Sequence, residues 1–69
     1  MASYRIKANV PNNLIPYFLS KDKVYEGDMK HNSWLLEIFE DDEGETVLID
    51  TQKSVLFHPY KGNPLEEVN

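Results

Sequence analysis

The chain has 69 residues, no cysteine, and 12 acidic against 7 basic side chains, for a formal net charge of −5. That length allows one domain at most, and the absence of cysteine excludes disulfides and thiolate zinc sites. The negative balance argues against bulk binding to phosphate backbones, so nucleic acid is not an expected partner.

A domain this small has a stability margin of about 3–5 kcal/mol, which leaves good packing or self-association to hold it together. No basic stretch precedes an apolar run at the start, so no signal peptide is expected. The apolar runs are too short to cross a bilayer. The expectation is a cytoplasmic protein with no membrane partner. Charge is uneven along the chain: five basic and three acidic residues up to Trp34, then two basic and nine acidic from Leu35 onward.

Ser3 to Val10 reads SYRIKANV, with Tyr4, Ile6, Ala8 and Val10 alternating with polar residues. A period of two predicts a half-buried strand, which Pro11 ends. From Pro11 to Asp22, two prolines argue against a regular strand or a long helix, yet Leu14, Ile15, Tyr17, Phe18 and Leu19 are too apolar for a free loop. A folded-over excursion with one helical turn is expected. Lys23 to Met29 predicts a second strand with a bulge or bend at Gly27. Its inward face is ambiguous, because Val24 has one parity and Tyr25 and Met29 the other.

SWLLEIFE, from Ser33 to Glu40, is the strongest strand signal. DDEGE supplies a loop around Gly44, and Thr46 to Asp50 returns as a fourth strand. A two-residue loop at Glu43–Gly44 would set Ile38 opposite Ile49, Phe39 opposite Leu48 and Glu37 opposite Asp50. Thr51 to Ser54 suits one 3₁₀ turn. Val55 to Tyr60, VLFHPY, predicts a fifth strand stopped by Pro59. The domain would then span residues 1–61, with 62–69 as a tail docked at most by Leu65 or Val68.

Five short strands, an apolar excursion after the first and a short turn before the last resemble the SH3-like barrel. Trp34 sits where SH3 domains place a ligand-contacting tryptophan, Gly44 where the family often has glycine in a hairpin, and TQKS resembles the 3₁₀ turn before the closing strand. The resemblance implies an all-β, five-stranded barrel. The peptide-groove signatures differ: SYRIKANV replaces the family's opening Ala-Leu-Tyr-Asp-Tyr motif, Leu35 stands where a second aromatic is usual, and IDTQKS lacks the expected proline and tyrosine. The proline-rich peptide groove is therefore not carried over. The layout also resembles short SH3-like proteins of bacteriophages and mobile elements. On that resemblance the partner would be a host or defence protein, which the chain would inhibit or modulate in the host cytoplasm.

Nothing in the sequence nominates an enzyme. His31 and His58 are far apart and share no ligand spacing, no nucleophile elbow occurs, and three glycines make no phosphate loop. No cofactor and no metal are expected. The acidic run Glu40 to Glu45 lacks EF-hand spacing and reads as a solvated hairpin tip.

Strand parity gives an inner set (Leu36, Ile38, Val47, Ile49, Val55, Phe57) and an outer set (Leu35, Phe39, Leu48, Leu56). The outer set is either covered by the excursion or left as an exposed apolar patch. The second case predicts a non-catalytic interaction module that docks Leu35, Phe39, Leu48 and Leu56, with Trp34 as anchor, against a protein or a second copy in a homo-oligomer. The acidic hairpin would orient the partner. Arg5, Lys7, Tyr17 and Tyr25 make an alternative pocket for a nucleotide-like ligand, or a weak surface for single-stranded nucleic acid.

Overall fold

A computed structural model describes every residue except Ser54 and Asn69. The protein is all-β. Its strands are β1 (Ala2–Ile6), β2 (Val24–Lys30), β3 (Leu35–Ile38), β4 (Val47–Asp50) and β5 (Leu65–Val68), all antiparallel in the order β4-β3-β2-β1-β5. One 3₁₀ turn, Asn12–Leu14, lies in the excursion between β1 and β2. Hydrogen bonds do not close a barrel: β4 and β5 are edges. Residues from both edge strands, Val47, Ile49 and Leu65, nevertheless share one hydrophobic core, so the sheet curls around it.

Alternation builds that core. Tyr4 and Ile6 of β1, Tyr25 of β2, Leu36 and Ile38 of β3, and Val47 and Ile49 of β4 point inward and are buried. The ambiguity of β2 resolves in favour of Tyr25, Gly27 and Met29 facing in, with Val24 half-exposed on the outside. Gly27 is required there. A Cβ at that position would come within 2.3 Å of the Glu37 carbonyl oxygen.

The excursion fills the interior instead of covering the outer face. Val10 and Leu19 are buried in the core, with Ile15 and Phe18 packed against it. Phe57 closes the core from the segment that follows β4.

Five expectations are corrected. The first strand ends at Ile6 instead of Val10. The Lys7 amide donates to the Pro64 carbonyl, and the Val10 amide turns back to the Lys7 carbonyl, so Ala8 is exposed. Val55 to Tyr60 is a pair of turns, not a strand. The His58 amide reaches the Val55 carbonyl at 3.4 Å and the Tyr60 amide the Phe57 carbonyl at 2.7 Å. Val55, expected inside, is 85% exposed, while Phe57 is fully buried. The fifth strand comes from Leu65–Val68, expected to be tail, with Leu65 paired to Ile6 and buried.

The β3–β4 register is displaced by two residues, to Leu36↔Ile49, Glu37↔Leu48 and Ile38↔Val47. Asp41 causes this, because its Oδ1 accepts the amides of Glu43 and Glu45 and its own amide donates to the Glu45 carbonyl. That side-chain-closed loop replaces the two-residue turn. A shift of two preserves parity, so each side chain keeps its face. Thr51 to Lys53 forms a bend, and the rest of the expected 3₁₀ turn, Ser54, lies outside the described residues.

Candidate functional site

The outward face of β2, β3 and β4 carries two cross-strand rows, Lys30–Leu35–Asp50 and Asp28–Glu37–Leu48. Leu48 thus stands directly across from Glu37, with Leu35 and Phe39 diagonal to it. Leu48 is 58% exposed, while Leu35 and Phe39 are half-buried. Glu37 pairs with Lys30 at 2.7 Å, so an ion pair interrupts the expected apolar patch.

Trp34 is not on that face. It ends the turn before β3, shares parity with Leu36 and Ile38, and stacks on His31 at a ring separation of 5.3 Å. Leu56 lies in the turn after β4, off the sheet. The five residues expected to form one docking patch therefore divide into three places: Leu35, Phe39 and Leu48 outside, Trp34 at the head of β3, and Leu56 in a loop.

The alternative ligand set is also dispersed. Arg5 points outward opposite Val24 and is paired with Glu66 at 3.2 Å. Tyr25 points inward, its phenol accepting the Ser20 amide and donating to Asp42. Burial, foremost, pushes that phenol above its ordinary pKa. Tyr17 is exposed in the excursion, edge-on to Phe18, and Lys7 lies past the end of β1. Phe39 and Tyr25, assigned to different sites by sequence, line one groove of about 450 Å³ beside Val24 and Lys23.

Comparison with protein-family models, curated proteins and solved structures finds no match to this chain.

The free edge of β4 is what sequence parity missed. Phe39 donates its amide to the Glu26 carbonyl at 3.0 Å, and Thr51 donates to the Trp34 carbonyl at 2.8 Å. In an antiparallel ladder hydrogen-bonded and non-bonded pairs alternate, so Leu35 and Glu37 bond towards β2, and Leu36 and Ile38 towards β4. On β4, Val47 and Ile49 therefore bond inward to the sheet. Leu48 and Asp50 turn their N–H and C=O outward, where no backbone partner meets them among the described residues.

The other edge differs. On β5 the residues turned outward are Leu65, whose amide is taken by the Asn63 side chain at 3.0 Å, and the exposed, charged Glu67. Each edge carries one outward-turned acidic residue, Glu67 on β5 and Asp50 on β4, so charge does not separate them. They differ at the leucine: Leu65 is buried with its amide taken, whereas Leu48 is exposed with its amide turned outward.

The acidic loop beyond Ile38 is not wholly solvated. Asp42 accepts from Lys23 at 2.7 Å, from Tyr25 at 2.9 Å and from Ser20 at 2.6 Å. The Lys23 ammonium first, then Ser20, holds its carboxyl below the usual range. Glu40, Glu43 and Glu45 form no ion pair among the described residues. The same residues include no group of three or more acidic or histidine side chains placed to hold a metal ion. They include no helix long and apolar enough to cross a membrane.

Proposed function

We propose that this chain is a non-catalytic interaction module that adds an extended segment of a partner protein to the free edge of β4. The observation that carries the reading is Leu48, a 58% exposed leucine whose backbone N–H and C=O are directed away from the sheet. Strand addition draws affinity from such main-chain groups and specificity from alternate side chains. Leu48 would supply one apolar contact. The carboxylates of Glu43 and Glu45 at one end of β4, in no ion pair among the described residues, and of Asp50 at the other, which accepts the Gln52 and Lys53 amides through one oxygen, favour a partner strand with basic residues flanking an apolar one. The meander from β1 to β4, with the last strand returned to β1, supports the SH3-like reading of the architecture.

The test is a 1H–15N NMR titration of the full chain with acetyl-Lys-Val-Lys-Val-Lys-amide and with its glutamate-for-lysine counterpart. The basic peptide should shift the Leu48 and Asp50 amides, and the acidic one should not. N-methylation of the Leu48 nitrogen in synthetic protein should abolish the response without unfolding the chain, because that N–H takes no part in the β3–β4 ladder. Equal responses to both peptides, or none to either, overturn the proposal. Elution as a dimer with the Leu48 amide protected from exchange also overturns it, by giving the edge to a second copy.

A further inference from the structure

Five of the eight cations of this chain, the amino terminus and seven lysine and arginine side chains, have a partner. The amino terminus meets Asp28 at 2.9 Å, Arg5 meets Glu66 at 3.2 Å, Lys23 meets Asp42 at 2.7 Å and Lys30 meets Glu37 at 2.7 Å. Lys21 donates to the Val10 carbonyl at 2.8 Å and to Asn12. Among the described residues the side chains of Lys7, Lys53 and Lys61 alone have no such partner. Lys53 and Lys61 are also the only two basic residues after Trp34, in a stretch that holds nine acidic ones.

The fold brings both to one groove of about 500 Å³, lined also by Gln52, His58, Pro59 and Tyr60, with no carboxylate among the described residues of its wall. Two like charges lining one groove repel each other, and an anion bound there offsets that repulsion.

Both walls are anchored. Asp50 Oδ1 accepts the amides of Gln52 and Lys53, each at 2.8 Å. Those bonds hold the Asp50 carboxyl below its usual pKa, with the Lys53 charge a lesser cause, and occupy the nearby oxygen. Across the groove, the Tyr60 hydroxyl donates to Asn9 at 2.9 Å and its ring packs on the core.

The groove's size falls in the range of small-ligand sites, roughly 300–1,000 Å³. Lysines bind phosphate as point charges. His58 and Tyr60 offer planar surfaces, and the Gln52 amide can both donate and accept.

We propose that this groove binds a mononucleotide, its phosphate between Lys53 and Lys61 and its base against His58 and Tyr60. The proposal does not rest on the strand-addition reading, although Asp50 borders both places: it ends β4 and its carboxylate anchors Gln52 and Lys53.

The experiment is an NMR titration of the full chain with adenosine monophosphate, uridine monophosphate, adenosine and inorganic phosphate. At least one nucleotide should shift amides at residues 52, 53, 58 and 60–62, with affinity at least tenfold above that for adenosine or phosphate alone. The double variant Lys53→Gln/Lys61→Gln should lose at least tenfold in affinity while its spectrum elsewhere stays unchanged. Lys7→Gln, which removes the third unpaired lysine, should bind as the parent does. Overturning results are the absence of any nucleotide response, inorganic phosphate binding as tightly as the nucleotides, adenosine doing so, or Lys7→Gln weakening binding as much as the double variant.

Discussion

The Tyr25 phenol and the Asp42 carboxylate meet at 2.9 Å, one from the interior row of β2 and the other from the tip of the β3–β4 hairpin. Around that bond Lys23 and Ser20 also donate to Asp42, and the Asp42 amide donates to the Phe18 carbonyl at 2.9 Å. The network fastens the hairpin to the excursion that fills the core.

Its pH dependence follows from the sign of the Asp42 shift. The carboxyl titrates lower in the folded chain than in the unfolded one. Its contribution is therefore complete above the ordinary aspartate pKa, about 3.9, and is lost as pH falls through the folded value. Asp42→Asn should reduce stability by about 1 kcal/mol at neutral pH and flatten the acid limb of a plot of Tm against pH below about pH 4. Thermal melts of parent and variant between pH 2 and 7 measure both. Parallel curves would show that the network contributes nothing through charge.

Gly27 pairs with Ala2 on one side and Ile38 on the other, where β2 leaves one neighbour for the next. An added methyl would meet the Glu37 carbonyl oxygen at 2.3 Å and Ile38 Cδ1 at 3.2 Å. Backbone is the harder of the two to move. Gly27→Ala should cost about 2–3 kcal/mol, towards the upper end for overpacking, and a urea melt reads it as a lower midpoint at unchanged slope. A change below about 0.5 kcal/mol, the usual range for surface sites, would mean that β2 can slide past β3 there.

β5 has a comparable structural weight despite its composition. Leu65 is 1% exposed and Pro64 is buried, and the strand pairs with β1 over four residues. Ending the chain at Gly62 removes all of this and bares the other side of β1. A small domain with a few kcal/mol of margin should not survive the loss. The truncated chain is expected to give an unfolded far-UV spectrum at 25 °C, whereas a disposable tail would leave the parent spectrum.

Much of this fold is legible in the residues. Alternation places β2, β3 and β4 to within two residues and sorts Leu36, Ile38, Val47 and Ile49 inward. The excursion was legible as packed and irregular because prolines interrupt an apolar stretch. The last strand was not. VLFHPY has the stronger local signal for a strand and LEEV the weaker, yet the sheet needs a partner for β1, and only the later segment reaches it. In VLFHPY the fixed point is Phe57, whose burial turns Val55 outward. Tertiary demand overrides local preference there.

The site was legible only in part. Parity found Leu48, but which backbone groups a strand leaves unpaired depends on strand order, which no period discloses. The groove at Lys53 and Lys61 has no sequence signal beyond the scarcity of basic residues in an acidic half.

The turn between β2 and β3 supplies the last prediction. His31, Asn32 and Ser33 have φ of 50°, 57° and 71°, three successive left-handed residues without a glycine. For an L-residue that conformation costs roughly 1–2 kcal/mol, least for asparagine. Tertiary bonds hold the turn: the Thr51 hydroxyl donates to the Ser33 carbonyl at 2.9 Å, and the Thr51 amide to the Trp34 carbonyl at 2.8 Å. Both use backbone atoms of residues 33 and 34, so a glycine at 33 keeps them. Ser33→Gly relieves the strain but leaves a more flexible unfolded chain to order. The strain term is the larger, and a net gain of about 0.5–1 kcal/mol is expected. For a domain of this length that raises Tm by roughly 2–8 °C. Thr51→Val, which keeps the size of the side chain but not its donor, should act in the opposite direction. A Ser33→Gly chain that melts below the parent would mean that serine at this position carries no strain to relieve.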